Sequence, residues 1–419
     1  MIEVKLWGET LGVLKYDTKK RESRFAFNPA FDQKKLNVAP ILMPHDPEHN
    51  GEHGIFSEAK DPFYEGLPPM IADSLPDDFG NDVLKNWLRQ NNEDLNNLSP
   101  KLKLSYVGKR GLGALEYYPQ LTKDNSSPIE IDLRELSEIS NKITETNLLP
   151  KEITKSTMKE MFMVGTSAGG ARPKAVVSIN FNTKQILYSN VHMEGFRSII
   201  IKFDKPIEET GESTEIGKIE YIYHKMAEMA EITMSPCGLF KENGLQHFYT
   251  HRFDRGDRGE KLHMQTLAGL AGMNPRHSHD YDDVFRILIA LDLPYSDFEQ
   301  QFRRMVFNYV TSNDDCHTKN ISFLMDSEGE WRLSPAYDMT FPYQVNKVWK
   351  KPHPISINAK TKNVSLDDMY SVGKEFGIKN PQRIVDQILE VSSQWNQLAH
   401  RYKLDEDKAV EIYKYFMKQ

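Results

Sequence analysis

Residues 313–338 read NDDCHTKNISFLMDSEGEWRLSPAYD, a polar stretch followed by two short apolar runs that are separated by the turn SEGE. Short runs on either side of a glycine-containing turn predict a β-hairpin. Because a hairpin returns the chain towards its starting point, we expect Asp338 to lie near Asp315 and Asn320. Carboxylate and amide oxygens are ligands that Mg²⁺ accepts readily. Asn320 and Asp338 are therefore chemically sufficient to hold Mg²⁺.

Asp315 and Asn320 also have the aspartate-to-asparagine spacing D-x-x-x-x-N, which is that of the catalytic loop of protein kinases. In that loop the aspartate accepts the proton of the substrate hydroxyl, so the pattern predicts Asp315 as a general base. One alternative is a polar loop with a surface hairpin. Another is a metal hydrolase with Asp314, Asp315, His317 and Asp338 as ligands, but it lacks a second histidine at the spacing of H-E-x-x-H.

The most glycine-rich segment is VGTSAGGARPK, residues 164–174. Exposed glycine amides beside a cation can hold phosphate groups. The segment is not a Walker A motif, because Ala171 stands where that motif needs lysine, and it lacks the G-x-G-x-x-G of dinucleotide-binding folds. We interpret it as a glycine loop between two strands, the arrangement that covers nucleotide phosphates in protein kinases. The alternative is a mobile surface turn.

Lys202 comes near the end of the apolar run SIIIKF, one predicted hairpin after the glycine loop. In protein kinases a strand lysine in this place pairs with ATP phosphates and with a glutamate of the following helix. Glu220 is the first candidate for that glutamate and Glu215 is the second. The alternative is a lysine that is solvated at the edge of a sheet.

The composition is that of a folded multidomain protein. The chain has 419 residues, which predicts two or three domains at about 150 residues each. Hydrophobic residues make up 39% and charged residues 27%, so disorder is not expected. Two cysteines cannot form a disulfide framework, and no apolar run reaches the length of a membrane span. We expect a soluble, cytoplasmic enzyme with no signal peptide and no membrane partner.

The first part of the chain reads as strands and loops. Alternating residues predict a hairpin around Gly8-Glu9 and a strand over Lys35–Met43. Asp77 and Asp78 precede apolar residues at helical spacing, so we predict a helix with these aspartates at its N-terminus. A second helix is predicted over Ile131–Ile143.

The rest of the chain divides into a β-rich part and a helical part, so we predict an α+β fold. The β-rich part extends from Met161 to His251 and contains one helix, over Glu215–Ile232. The helical part follows and is interrupted by the hairpin of Ile321–Asp338 alone. Its predicted helices cover Ser278–Leu293, Ser296–Thr311, Asn380–Ala399 and Asp405–Met417. The predicted units are 1–120, 121–250 and 251–419.

Four blocks then resemble a known family. They are GLPP to SLP in residues 66–76, SAGGARPK in 167–174, RFDR in 252–255, and DCHTKN with PAYD in 315–338. Together they resemble the HipA family of bacterial toxin serine/threonine kinases over nearly the whole chain. The resemblance implies a kinase-like two-lobed fold, with a β-rich N-terminal part and an all-helical C-terminal lobe. It also implies ATP and Mg²⁺ as cofactors and phosphorylation of a protein serine.

The resemblance also implies roles for individual residues. Asp315 takes the place of the general base, and Asn320 and Asp338 take those of the magnesium ligands. The implied ATP-binding residues are Ser167, Ala168, Gly169, Gly170, Lys202, His251, Arg252, Phe253, His317 and Lys319. Ser167 also matches a loop serine whose autophosphorylation displaces the loop and inactivates the enzyme. The chain departs from the family pattern at His251, where glutamate is frequent, and at Arg172-Pro173.

The implied partners are a HipB-like helix-turn-helix antitoxin and a protein substrate of translation, such as an aminoacyl-tRNA synthetase. The net charge of −7 argues against direct DNA binding, which needs Lys and Arg at phosphates, so we expect DNA contact only through the antitoxin. Two other functions stay open, a small-molecule kinase and a non-catalytic co-repressor. Lys202, Asp315, Asn320 and Asp338 favour a catalyst over the co-repressor.

Overall fold

The computed structural model describes residues 1–44, 55–57, 61–93, 98–121, 127–146, 154–165, 169–170, 172–207, 213–343 and 352–417. The predicted α+β class is confirmed: 38% of the chain is helical and 21% is strand. In the described ranges no helix combines the length and the apolar character needed to cross a membrane.

The first sheet forms the N-terminal part. Its strands are β1 (Ile2–Leu6), β2 (Glu9–Asp17), β3 (Glu22–Phe27), β4 (Ile55–Ser57) and β5 (Leu115–Tyr118), in the order β4-β3-β2-β1-β5. Ile2, Val4 and Leu6 alternate with less buried residues, so one face of β1 packs in the core. The predicted hairpin around Gly8 is confirmed, and Gly8 adopts the positive φ of 82° that this turn needs.

The second sheet contains Lys174, the last residue of the glycine-rich segment, and the strand lysine Lys202. Its strands are β6 (Ile129–Glu130), β7 (Lys174–Ile179), β8 (Ile186–Tyr188), β9 (Arg197–Lys202), β10 (Cys237–Glu242) and β11 (Leu245–His251), in the order β10-β11-β9-β7-β8-β6. In the antiparallel register of β7 and β9, Lys174 lies opposite Lys202. Side chains directly opposite each other share one face of a sheet, so both lysines point to the same side.

The helices of the first half are α1 (Pro29–Asp32), α2 (Pro69–Ala72), α3 (Asp78–Gln90), α4 (Pro100–Val107), α5 (Leu133–Thr146), α6 (Lys155–Gly165) and α7 (Ile216–Met229). The predicted helices after Asp77, over Ile131–Ile143 and over Glu215–Ile232 correspond to α3, α5 and α7. The predicted strand over Lys35–Met43 is wrong, because this segment forms turns.

The interpretation of the glycine loop as a connection between two strands is also wrong, because its first residues, up to Gly165, belong to the end of α6. The apolar residues Met158, Met161 and Phe162 lie on one face of α6 and are buried against α3 and α5. The ring of Phe162 stacks on Trp87 of α3 at 4.9 Å between centroids. Packing of this face therefore stabilises a helix in a segment where the local sequence pattern favoured a strand.

The C-terminal part is mostly helical. Its helices are α8 (Leu267–Ala271), α9 (Tyr281–Ala290), α10 (Tyr295–Val310), α11 (Leu366–Glu375), α12 (Pro381–Ser393), α13 (Trp395–Arg401) and α14 (Glu406–Tyr413). Its strands are β12 (His263–Thr266), β13 (His279–Asp280), β14 (Ser322–Met325), β15 (Trp331–Leu333) and β16 (Ile355–Ser356). The β14–β15 hairpin confirms the one predicted within Ile321–Asp338.

Two expectations for this part need correction. The lobe is not all-helical apart from that hairpin, because β12 pairs with β14 and β13 pairs with β16. The single helix predicted over Asn380–Ala399 is two helices, α12 and α13, that meet at Gln394. Trp395, which begins α13, is fully buried and donates its indole N–H to the carbonyl of Ala409 at 2.8 Å.

Among the residues that the structure describes, two apolar clusters fill the interior. One joins the first sheet to the C-terminal helices, and the other joins α3 and α4 to α5, α6 and the second sheet. Helix α3 therefore packs with the second sheet, although the sequence assigns it to the first unit. The unit boundaries at 120 and 250 stay a prediction.

Candidate active site

The catalytic-loop sequence lies between α10 and β14. The Asp315 carbonyl accepts the backbone N–H of His317 at 2.8 Å and the Nδ2 of Asn320 at 2.9 Å. These bonds fold the loop so that both ends of the D-x-x-x-x-N motif meet. Asp315 is exposed, whereas its neighbour Asp314 is buried and lies 3.2 Å from Nε2 of His353. The geometry therefore favours Asp315 over Asp314 as the residue that can meet a substrate.

The strand lysine meets its helix glutamate. Lys202 Nζ lies 2.5 Å from Oε1 of Glu220 in α7, and both side chains are buried. The other carboxylate oxygen, Oε2, accepts a hydrogen bond from Arg172 at 2.9 Å. Glu215, the second candidate, instead pairs with Lys218 and Lys408 outside this group. The structure thus brings Lys202 to Glu220 and not to Glu215.

Asp338 completes the same cluster, because its carboxylate pairs with Lys202. Burial alone would raise the pKa of Asp338, but Lys202 and Lys174 hold it well below the usual range. Burial would also lower the pKa of Lys202, but Asp338 and Glu220 outweigh that effect and raise it. Both groups therefore stay charged at neutral pH. The backbone of Asp338 is left-handed, with φ of 55°.

The glycine loop is described in part. Ser167 and Ala168 lie outside the described residues, whereas Gly169 and Gly170 are placed. Gly170 has φ of 94°, and an added Cβ would come within 2.7 Å of Lys174 Nζ, so glycine is required there. Lys174 donates to the carbonyl of Gly169. Burial, together with the neighbouring charge of Lys202, lowers the pKa of Lys174 to about 8, against the attraction of Asp338.

A residue that the sequence marked as a helix cap belongs to the same cluster. Asp77 occupies the N-cap position of α3 but makes no side-chain capping bond. Its carboxylate pairs with Lys319 of the catalytic loop and accepts the N–H of Gly170 at 2.6 Å. The GLPP to SLP block of the family resemblance lies directly before Asp77. The helical periodicity around Asp77, however, cannot indicate its contact with Lys319, which is 242 residues away in the sequence.

His251, Arg252 and Phe253 follow one another at the end of β11. The N–H groups of His251 and Arg252 donate to the carbonyls of Pro236 and Ser198. The Arg252 guanidinium is bound to Asp254, with Nη2 to Oδ2 at 2.6 Å. The backbone N–H groups and the guanidinium are thus engaged within the fold.

Phe253 links this segment to the catalytic loop. Its ring lies 5.5 Å from that of Tyr337, whose hydroxyl donates to the carbonyl of Lys319 at 2.7 Å. A cavity of about 480 Å³ adjoins the segment, with Val176, Ser178 and Ser198 of the sheet among its lining residues. Cavities of roughly 300–1,000 Å³ are typical of small-ligand sites. In the described part of the chain, Lys202 and Asp315 do not line this cavity. The cavity therefore adjoins the His251–Phe253 segment and not the catalytic loop.

The residues fit a magnesium nucleotide in their chemistry. The Nδ2 of Asn320 donates a hydrogen bond to the Asp315 carbonyl, so the amide oxygen of Asn320 is the atom that would bind magnesium. Asp338 supplies an ionised carboxylate. The Nδ1 of His317 is buried and has no hydrogen-bond partner among the described residues. Within the same residues, no group of three or more His, Cys, Asp or Glu is arranged to hold a metal.

A strand lysine that pairs with a glutamate of the following helix is a feature of kinase-like folds. Two family models match the chain, the HipA N-terminal domain over residues 2–118 and the HipA-like C-terminal domain over residues 166–417. The chain therefore belongs to the HipA family.

A solved structure shares the whole fold. It is the toxin–antitoxin system HipA, HipB and operator DNA complex of Shewanella oneidensis MR-1, with a TM-score of 0.68 and 16% identity. The match covers 99% of this chain and 95% of that chain. At this identity the likeness concerns the fold alone, and it confirms the predicted kinase-like architecture.

Two curated relatives match shorter stretches. The Putative kinase Y4dM of Sinorhizobium fredii is 31% identical over 124 residues, which are 28% of this chain and 30% of that protein. A Putative kinase of Haemophilus influenzae is 23% identical over 101 residues, which are 22% of this chain and 29% of that protein. The chain spans less than a third of the length of these curated relatives.

Proposed function

We propose that the chain is an ATP- and Mg²⁺-dependent serine/threonine protein kinase of HipA type. The observation that carries this proposal is the double pairing of Lys202 with Glu220 and Asp338, next to a D-x-x-x-x-N loop. A lysine held between two carboxylates is fixed in place and remains charged. Those are the properties that a phosphate-orienting group needs, because phosphoryl transfer depends on positioning and charge stabilisation.

Each residue of the cluster has a distinct task in this proposal. Asp315 accepts the proton of the serine or threonine hydroxyl as it attacks the terminal phosphate. Asn320 and Asp338 hold magnesium, which bridges phosphate oxygens and offsets their charge. Lys202 orients the phosphates, and Lys319 offers a second ammonium on the side of the catalytic loop. His251, Arg252 and Phe253 frame the adenine end of the cleft.

We also propose that the chain is the toxin of a toxin–antitoxin pair and binds a helix-turn-helix antitoxin of HipB type. Membership of the HipA family supports this, as does the fold shared with a HipA bound to HipB and operator DNA. Its cellular target is a protein of the translation machinery, and Ser167 is its own substrate. Contact with DNA occurs through the antitoxin.

The experiment compares wild type with Lys202→Met in Mg-ATP binding by calorimetry and in phosphate transfer to the chain itself. Loss of one positioned cation should lower phosphate transfer by about 10²–10³-fold. Lys241→Met is the matched control, since Lys241 is an exposed lysine on β10 of the same sheet. EDTA should abolish transfer by wild type.

Two results would contradict the kinase. One is no binding of wild type at millimolar ATP and magnesium. The other is unchanged transfer in Lys202→Met. Transfer to a small molecule but not to any protein would favour a small-molecule kinase.

A further inference from the structure

The Asp77 carboxylate lies where the second sheet, the catalytic loop and the N-terminal part meet. One oxygen accepts the N–H of Gly170 at 2.6 Å, and the other pairs with the Lys319 ammonium. An aspartate at an N-cap position ordinarily bonds to the free N–H groups of its own helix. Asp77 makes no such bond in α3, so its side chain serves a contact outside its helix.

The contact is electrostatically firm. Burial alone would raise the pKa of Asp77, but Lys319 and the bond from Gly170 lower it. The carboxylate therefore stays ionised at neutral pH. Gly169 lies against the same carboxylate, because an added Cβ would stand 3.1 Å from Oδ2 of Asp77.

A backbone N–H of a glycine loop and a lysine ammonium are the donors that bind phosphate oxygens in nucleotide sites. Asp77 occupies one donor of each kind, and it offers two oxygens with one negative charge between them. A carboxylate in this place resembles a phosphate group in charge and in acceptor geometry. The Gly170 N–H is a single donor and cannot bind a nucleotide phosphate at the same time. The Lys319 ammonium has three donors, but its charge is offset by Asp77 and so attracts a phosphate less strongly.

We propose that Asp77 is an autoinhibitory contact: its carboxylate holds Gly170 to Lys319, and an incoming nucleotide phosphate displaces it. This regulation rests on the proposed function, because it concerns the same cleft. It makes the start of α3, a helix that packs with the second sheet, a direct determinant of nucleotide affinity, since the competing anion is the N-cap residue of that helix.

The test removes the charge and keeps the helix cap. Asp77→Asn and Asp77→Ser both retain a good N-cap residue, and binding of a non-hydrolysable ATP analogue with Mg²⁺ is measured by calorimetry. Loss of one competing charge-assisted bond should tighten binding by about tenfold. The matched controls are Asp78→Asn and Asp78→Ser, because Asp78 carries the same charge in the first turn of α3 and is exposed. They should bind like wild type.

Affinity in the Asp77 variants that is unchanged or weaker than in wild type overturns the proposal. Tighter binding in the Asp78 variants as well would also overturn it, since net charge and not the bridge would then be responsible. Circular dichroism of each variant checks that the helices are intact.

A second measurement needs no nucleotide. Hydrogen exchange of the Gly170 amide should be at least about fivefold faster in Asp77→Ser than in Asp78→Ser, because the bond to the carboxylate is lost. Equal exchange overturns the bridge itself. If exchange is faster in Asp77→Ser but the wild type binds no nucleotide, both the proposed kinase function and the competition are overturned. If the wild type binds nucleotide with the same affinity as the Asp77 variants, only the autoinhibitory role of Asp77 is overturned.

Discussion

Asp254 lies at the centre of a buried ion-pair group that joins the lobes to the N-terminal part. Its carboxylate accepts hydrogen bonds from Arg252 Nε at 2.9 Å, from Arg252 Nη2 at 2.6 Å and from Arg255 Nη1 at 2.8 Å. It also accepts the backbone N–H of Gly113, at 2.6 Å, from the turn before β5. Burial would raise the pKa of Asp254, but Arg252 and Arg255 hold it well below its usual range.

Asp254→Asn keeps the size of the side chain and removes its charge. Arg252 and Arg255 would then be buried without their carboxylate, and breaking such a group costs about 3–5 kcal/mol. For a chain of 419 residues, an unfolding entropy of about 2.1 cal/mol/K per residue amounts to about 0.9 kcal/mol/K. We therefore expect the melting temperature to fall by about 3–6 °C.

Thermal melts followed by tryptophan fluorescence measure this shift. The control is Asp257→Asn, because Asp257 pairs with Arg197 at the surface and its side chain is 87% exposed. Exposed pairs contribute at most about 1 kcal/mol, so the control should shift by about 1 °C or less. Equal shifts in the two variants would refute the reasoning, as would an Asp254→Asn protein that melts like wild type.

Three further predictions concern the catalytic loop, the glycine loop and a buried histidine. Asp315→Asn should retain ATP affinity and lose about 10²–10⁴-fold in phosphate transfer; if Asp314→Asn lost transfer instead, the base would be misassigned by one residue. Incubation with Mg-ATP should place a phosphate on Ser167, detected by mass spectrometry and missing in Asp315→Asn; phosphate on Thr166 alone would reject this switch. Burial lowers the pKa of His263 from 6.5 to about 4, so between those pH values the unfolded chain binds a proton that the folded chain does not. The free energy of unfolding should fall by about 3 kcal/mol as the pH drops through that range, and melts of His263→Gln should show a smaller pH dependence; an equal dependence would contradict it.

Much of the fold could be predicted from local patterns. Alternation revealed β1 and β2, and helical spacing revealed α3, α7 and α10, because each buries one face against the core. The same logic failed for α6, whose burial by α3 and α5 is not visible in its own sequence. It also failed for β12, because this short strand forms by pairing with β14, about 60 residues later in the sequence.

The candidate site divides in a similar way. Asp315, Asn320 and Asp338 were proposed from their spacing on either side of the β14–β15 hairpin, and Lys202 from its position after the glycine loop. The contact of Asp77 with Lys319 could not be predicted, because it joins segments far apart in the chain. The buried group at Asp254 was likewise hidden, although RFDR was recognised as a block.

The left-handed backbone of Asp338 bears on how an inactive form of this protein should be made. Aspartate and asparagine adopt positive φ more readily than alanine does, which would add a strain of about 1 kcal/mol there. Alanine at 338 would thus remove a carboxylate and also disturb the backbone conformation that presents it. Asparagine tolerates that conformation, so Asp338→Asn tests the proposed role of the carboxylate with less change to the backbone.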